Sequence, residues 1–215
     1  VKIFLDTADV AGIREAAKSG LIGGVTTNPS HIMNSGRKFK EVVKEICDII
    51  PGPVSAEAMG DTAAELVEDA RKIAALAPNV YIKIPMTVEG VKAVPILERD
   101  HGIHTNVTMV FSAAQTMLAM KAGATFVSLV LSRLDNIGIE STTLVDDAVT
   151  IKANYGFPSE VLAASIKTQN QVLDCMRAGV DIISIPVDVF SQMYKHALTD
   201  AGLAQFAKDW QKVPQ

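Results

Sequence analysis

Lys83 is the residue of this 215-residue sequence whose setting demands a chemical explanation. The run Val80-Tyr81-Ile82-Lys83-Ile84-Pro85 places an amine inside an otherwise apolar, strand-like segment. A lysine at a strand end is ordinarily a solvated charge. Burial disfavours the ammonium form, however, and a lysine of lowered pKa is the nucleophile of Schiff-base chemistry. Two carboxylates close similar runs: Asp6 follows Ile3-Phe4-Leu5, and Glu57 follows Val54-Ser55-Ala56. They are candidates for proton transfer, or alternatively counter-ions of Lys83. Other constellations carry less. His101 and His104 are three residues apart but flank a strand start, with no carboxylate or cysteine at ligand spacing, so no metal site is expected. Ser35-Gly36-Arg37-Lys38 matches S-x-x-K without the motifs that accompany it in penicillin-binding enzymes.

The elements that must position these groups are short and regular. Strand-like runs recur at Ile3–Leu5, Val25–Thr27, Val54–Ala56, Val80–Ile84, Ile103–Val107, Phe126–Val130, Val161–Ala164 and Ile182–Ile185. Helical patterns fill the gaps between them, the spacing of βα units in a parallel sheet. Phe39, Val42, Val43, Ile46, Ile49 and Ile50 form one helical stripe, and Leu66, Ala70, Ile73, Ala74 and Ala77 a second. Ser112 with Gln115 reads as a capping box opening a further helix that stops at Gly123. An open doubly wound sheet is the competing architecture, yet neither of its phosphate-loop patterns, GxGxxG or GxxxxGK[ST], occurs. The expectation is therefore an α/β protein, a single (β/α)8 barrel domain over residues 1–215. The patterns Val187–His196 and Leu203–Trp210 predict an extra C-terminal helix beyond the eighth strand.

Side chains alternate across a strand, so counting by two identifies which residues share the barrel interior. Asp6 pairs with Phe4, Asn28 with Thr26, Glu57 with Ser55, Lys83 with Tyr81, Asn106 with His104, Ser128 with Phe126 and Ser165 with Ala163. A purely structural barrel would fill most of these positions with Val, Ile or Leu. Seven polar residues delivered to one rim mark an active site.

Composition removes several other functions. Apolar residues make up 48% and charged residues 20%, enough to bury a sizeable core. Twenty Lys plus Arg against 24 Asp plus Glu give −4, and no basic stretch exceeds Arg37-Lys38, so nucleic acid is not an expected partner. Apolar runs such as Val107 to Phe111 are far shorter than a membrane span, and the start lacks the apolar region of a signal peptide, so a cytoplasmic location is expected. Cys47 and Cys175 each lie in a helical pattern and read as buried thiols; Met109, Met117 and Met120 read as core filler.

Five blocks together resemble the short transaldolase and fructose-6-phosphate aldolase family: Phe4-Leu5-Asp6-Thr7-Ala8, Gly24-Val25-Thr26-Thr27-Asn28-Pro29-Ser30, Ile82-Lys83-Ile84-Pro85, Thr105-Asn106-Val107-Thr108 and Ala164-Ser165-Ile166. The resemblance implies a barrel of the class I aldolase type that needs no metal and no organic cofactor and assembles as a homo-oligomer, a decamer of two pentamers. It implies Lys83 as the Schiff-base lysine and Asp6 as acceptor of the hydroxyl proton. Glu57 would shuttle protons through a water held with Thr108. Asn28 and Asn106 would hold the dihydroxyacetone hydroxyls, and Ser128, Arg133 and Ser165 the substrate or its terminal phosphate.

The sequence departs from the family pattern in three places. Val130 stands where members carry an aromatic, Tyr in the aldolases, and Glu57 where aldolases carry Gln and transaldolases Glu. Both favour transfer over free aldol cleavage. Lys167 stands where transaldolases commonly have a phosphate-binding Arg; it keeps the charge and loses the bidentate fork. His31-Ile32-Met33-Asn34-Ser35-Gly36 replaces an apolar segment and resembles the version in transaldolases acting on sulfonated sugars. The expected activity is transfer of dihydroxyacetone from a ketose with a terminal anion, fructose 6-phosphate or its 6-sulfonated analogue, to an aldose phosphate. The alternatives are an aldolase releasing dihydroxyacetone and a non-catalytic sugar-phosphate-binding barrel.

Overall fold

The computed structural model describes residues 1–214. Eight parallel strands, β1 (Lys2–Asp6), β2 (Ile22–Thr26), β3 (Val54–Glu57), β4 (Val80–Pro85), β5 (Thr105–Val110), β6 (Phe126–Val130), β7 (Glu160–Ala164) and β8 (Ile182–Ile185), close into a barrel in sequence order. Helices cover it: α1 (Val10–Ala17), α2 (Pro29–Ser35), α3 (Phe39–Ile49), α4 (Ala63–Ala74), α5 (Val88–Pro95), α6 (Ala113–Lys121), α7 (Leu131–Asp135), α8 (Ser141–Tyr155), α9 (Gln169–Ala178), α10 (Val187–Gln192) and α11 (Ala197–Trp210). The architecture is the expected (β/α)8 barrel.

The barrel wall separates two apolar regions. Outward residues such as Leu5, Val25, Ile82, Val127 and Ile183 pack under the helices, in one core with Val42, Val43 and Ile46 of α3 and Leu66, Ala70 and Ile73 of α4. Inward-facing Phe4, Phe126, Leu162 and Ile182 form a second cluster with Tyr81 and Ala164. Tyr81 stacks on Phe126 at 5.0 Å, and Phe4 meets Phe126 edge-on at 5.9 Å. The Phe4 ring also covers Gly24, where a Cβ would come within 2.6 Å of it. Aromatic rings therefore plug the barrel below its polar rim.

Several boundaries differ from expectation for local reasons. β5 starts at Thr105 rather than Ile103, because Ile103 N–H bonds back to the Leu97 carbonyl across the π-helical turn Ile96–Asp100. α4 ends at Ala74, short of Ala77. Ser112 caps α6 through Gln115 N–H, but the Gln115 side chain accepts from Phe111 N–H rather than from Ser112, so only half of the box forms. α10 ends at Gln192, capped by Met193 and short of the expected His196, which instead caps the start of α11. Cys175 is buried, Cys47 only half-buried on α3. Met120 is core; Met109 is not, having φ 62° at an irregularity where β5 meets β6.

Two networks the sequence reading missed brace the end opposite the rim. Glu98 accepts from the N–H and hydroxyl of both Thr105 and Thr125, tying the starts of β5 and β6 together at 2.6 to 2.9 Å. His104 sits beside it, its Nδ1 3.0 Å from Thr125 Oγ1 and its ring stacked on Tyr81. Lys152 pairs with Asp181, which also accepts from Val161 N–H.

Candidate active site

The C-terminal ends of the strands bring the expected groups together. Glu57 on β3, Lys83 on β4 and Asn106 on β5 are successive register partners, so one rung crosses three strands. Asp6 and Thr26 form the corresponding rung between β1 and β2. Lys83 is 6% exposed, and its Nζ donates to the Thr27 carbonyl at 2.9 Å. Thr27 is presented by a loop that its own hydroxyl fixes to the Ser55 carbonyl at 2.8 Å.

Burial holds the Lys83 amine below its ordinary pKa, and the fields of Asp6 and Glu57 offset only part of that. Burial likewise raises the Glu57 carboxyl, against the opposing charges of Lys83 and Arg133. The bonded partner of Nζ is a carbonyl. Asp6 and Glu57 act on the amine through their fields, which leaves them available as acid and base rather than locked as counter-ions.

Around this pair the polar interior is wired by side-chain hydrogen bonds. Thr26 Oγ1 donates to Asp6 Oδ1 at 2.9 Å; its single proton thus committed, it accepts from Ser184 Oγ at 2.7 Å. Ser128 Oγ donates to Asn106 Oδ1 at 2.6 Å, and Asn106 Nδ2 donates to Ser55 Oγ at 3.0 Å. Asn106 and Ser128 are fully buried, and Thr108, two residues beyond Asn106 on β5, nearly so. Asn28 caps α2: Oδ1 accepts from His31 N–H at 2.8 Å, leaving Nδ2 3.4 Å from His31 Nε2.

Arg133 lies on α7, its Nη1 3.6 Å from Met109 Sδ and its charge acting on Glu57. Lys167 is exposed in the β7–α9 loop, and its charge reaches the His31 ring. Ser165 corrects the parity argument. The inner face of β7 consists of Leu162 and Ala164, while Ala163 packs outward under the helices. Ser165 follows the strand in the left-handed region at φ 58°, half-buried, and its carbonyl accepts from the Ser132 hydroxyl. Counting by two fails there because the strand has ended. The same counting does reach Thr26 and Ser184, which sequence reasoning left without a role. His31 was noted only as part of an unusual segment; its place beside Asp6, Nδ1 to Oδ1 3.8 Å, follows from the α2 cap.

The sequence model of the family described as Transaldolase/Fructose-6-phosphate aldolase matches residues 3–215. The chain belongs to that family. It is 51% identical to a probable transaldolase of Caldicellulosiruptor saccharolyticus, over 100% of this chain and 99% of that protein. It is 49% identical to a probable transaldolase of Geobacter metallireducens, over the full length of both. Among solved structures, thiamine phosphate pyrophosphorylase from Pyrococcus furiosus superposes with a TM-score of 0.59 at 13% identity, covering 86% of this chain and 85% of that one, a likeness of fold alone. Family membership makes the protein an enzyme of the transaldolase/aldolase type, so the reading as a non-catalytic barrel falls. Among the described residues no helix is long and apolar enough to cross a membrane.

Proposed function

We propose that this enzyme is a Schiff-base transaldolase that moves a dihydroxyacetone unit from fructose 6-phosphate, or a ketose like it with a terminal anion, to an aldose phosphate. The observation that carries this reading is Lys83: a buried amine, held toward its neutral form, on one rung with Glu57 and Asn106. The neutral Nζ adds to the ketose carbonyl, and loss of water, with proton transfers by Glu57 through a water held with Thr108, gives the iminium. Asp6 removes the proton of the hydroxyl on the far side of the breaking carbon–carbon bond. The bond electrons enter the iminium as an enamine, and the phosphorylated aldehyde leaves. An incoming aldose phosphate takes up the enamine carbon, Asp6 returns its proton to the new alkoxide, and hydrolysis frees Lys83.

Asn28 and Asn106 hold the dihydroxyacetone hydroxyls, Ser128 supports Asn106, and Arg133, Ser165 and Lys167 receive the terminal anion at the β6–β7 side of the rim, beside the loops after strands 7 and 8 where barrels commonly bind phosphate. Val130 supports transfer over free aldol cleavage, because no aromatic hydroxyl at that position protonates the enamine. The proposal includes a cytoplasmic location and a homo-oligomer. Incubation with fructose 6-phosphate and borohydride, followed by mass spectrometry, tests it: a reduced adduct on Lys83 is expected, and its absence with both the phosphorylated and the sulfonated ketose refutes the Schiff base.

A further inference from the structure

We propose that His31 is a positioning residue for the general base, its Nδ1–H donating to Asp6 Oδ1 when the sugar closes the site. The inference rests on the reading of Asp6 as the base of carbon–carbon bond cleavage. Its support begins with the cap of α2. Asn28 Oδ1 is taken by the His31 N–H at 2.8 Å, which fixes the amide so that Nδ2 faces His31 Nε2 at 3.4 Å. An amide nitrogen can only donate, so Nε2 is the acceptor and the ring proton of neutral His31 sits on Nδ1. Nδ1 is buried, has no hydrogen-bond partner among the described residues, and lies 3.8 Å from Asp6 Oδ1. A buried donor left unmade is costly, and the carboxylate is within a small side-chain movement of it.

Oδ1 already accepts from Thr26, at the end of the chain that begins at Ser184. A second donor on the same oxygen would fix the carboxylate plane and leave Oδ2 as the basic atom. Desolvation holds the His31 ring below its ordinary pKa of 6.5, helped by Lys83 and Lys167 and opposed by Asp6. The remaining charged groups around it, Asp9, Arg14, Arg37 and Glu45, line the cleft that His31 closes beside the rim; Glu45 pairs with both arginines. Neutral His31 thus steadies Asp6, whereas imidazolium beside Asp6 would weaken it as a base.

The test compares wild type, His31→Leu and His31→Asn, the last because its amide nitrogen reaches the position of Nδ1. Each is assayed for transfer from fructose 6-phosphate to an acceptor aldehyde over roughly pH 5 to 9, with borohydride trapping in parallel. The expected result is a kcat lowered about tenfold in His31→Leu, with KM and adduct yield unchanged and most of the rate restored in His31→Asn. The wild-type rate should also fall below pH 6.5 through an ionisation that both variants lack. An adduct with wild-type kcat and pH profile in His31→Leu overturns the inference alone, as does a His31→Asn no faster than His31→Leu. A wild type that forms no adduct overturns the Schiff-base reading, and this inference with it.

Discussion

Glu57 and Lys83 are register partners on adjacent strands, yet the hydrogen bond of Lys83 goes to the Thr27 carbonyl. Two opposite charges on one rung would ordinarily pair and each stabilise the ionised form of the other. Here burial outweighs the pairing, lowering the amine and raising the carboxyl. Both groups are thereby moved toward neutrality, where an amine can attack a carbonyl and a carboxyl can give up and regain a proton.

A stability difference follows from Lys83. Its pKa in the folded protein lies below the unfolded value, so the unfolded chain binds the extra proton. The resulting penalty is complete below the folded pKa and disappears as pH rises to the ordinary 10.5. Denaturant unfolding of wild type and Lys83→Met between neutral pH and roughly pH 9.5 should show wild type gaining on the variant as pH rises. Parallel stability curves would contradict a desolvated lysine. The variant should also lose transferase activity and the borohydride adduct completely.

For Glu57→Gln, the expected loss is in proton shuttling and not in cleavage. The neutral amide removes one of the two fields that hold the amine up, so slower adduct formation would report the missing proton shuttle and not a more protonated Lys83. Single-turnover kinetics should show adduct formation and hydrolysis slowed about 100-fold, while cleavage from the preformed iminium stays within a few-fold. Equal slowing of both would place Glu57 in the cleavage step instead.

Much of this site was legible because the period of a strand is two and five of the seven rim residues, Asp6, Glu57, Lys83, Asn106 and Ser128, lie on regular strands. Lys83, Glu57 and Asn106 fall on one rung as counting requires. Counting failed at Ser165, which lies past the last residue of β7 in the left-handed region, and it was silent on His31, which a helix cap and not a strand brings to Asp6. Glu98 escaped notice because its four donors come from Thr105 and Thr125, which α6 separates in sequence and which meet only where β5 pairs with β6.

Glu98→Ala should accordingly cost about 2–4 kcal/mol, since four donors lose a charged acceptor and two of them are buried backbone or side-chain groups of Thr105. Equilibrium unfolding measures it. A cost within about 0.5 kcal/mol, the range of an ordinary surface change, would show that water replaces the carboxylate. KM should not change, because the network lies at the opposite end of the barrel from the rim.

The C-terminal helix makes an assembly prediction. None of its residues is buried, and Leu198, Leu203, Phe206 and Trp210 are each more than 60% exposed. Four large apolar side chains along one short helix form a patch that soluble monomers rarely leave uncovered. The expected occupant is another subunit, so light scattering should report a homo-oligomer, and deletion after Thr199 should lower its mass while leaving the barrel folded. A monomer at micromolar concentration would refute this.

The last prediction concerns the anion. Arg133 on α7 and Lys167 beyond β7 are the cations of the proposed anion-binding side, and neither belongs to any of the ion pairs formed among the described residues. Solvated loop charges could equally be unpaired, so only the substrate distinguishes the two cases. A lost charge-assisted hydrogen bond is worth about 1.5–3 kcal/mol, so Arg133→Ala should lower kcat/KM for fructose 6-phosphate roughly 10- to 100-fold. The same variant should be nearly indifferent toward a ketose without the terminal anion. Equal losses on charged and uncharged donors in both Arg133→Ala and Lys167→Ala would remove the two residues from the anion site. Losses on the phosphorylated ketose that spare the sulfonated one would keep the site and change the ion it was built to hold, because a sulfonate carries one charge where phosphate carries up to two and leans less on each cation.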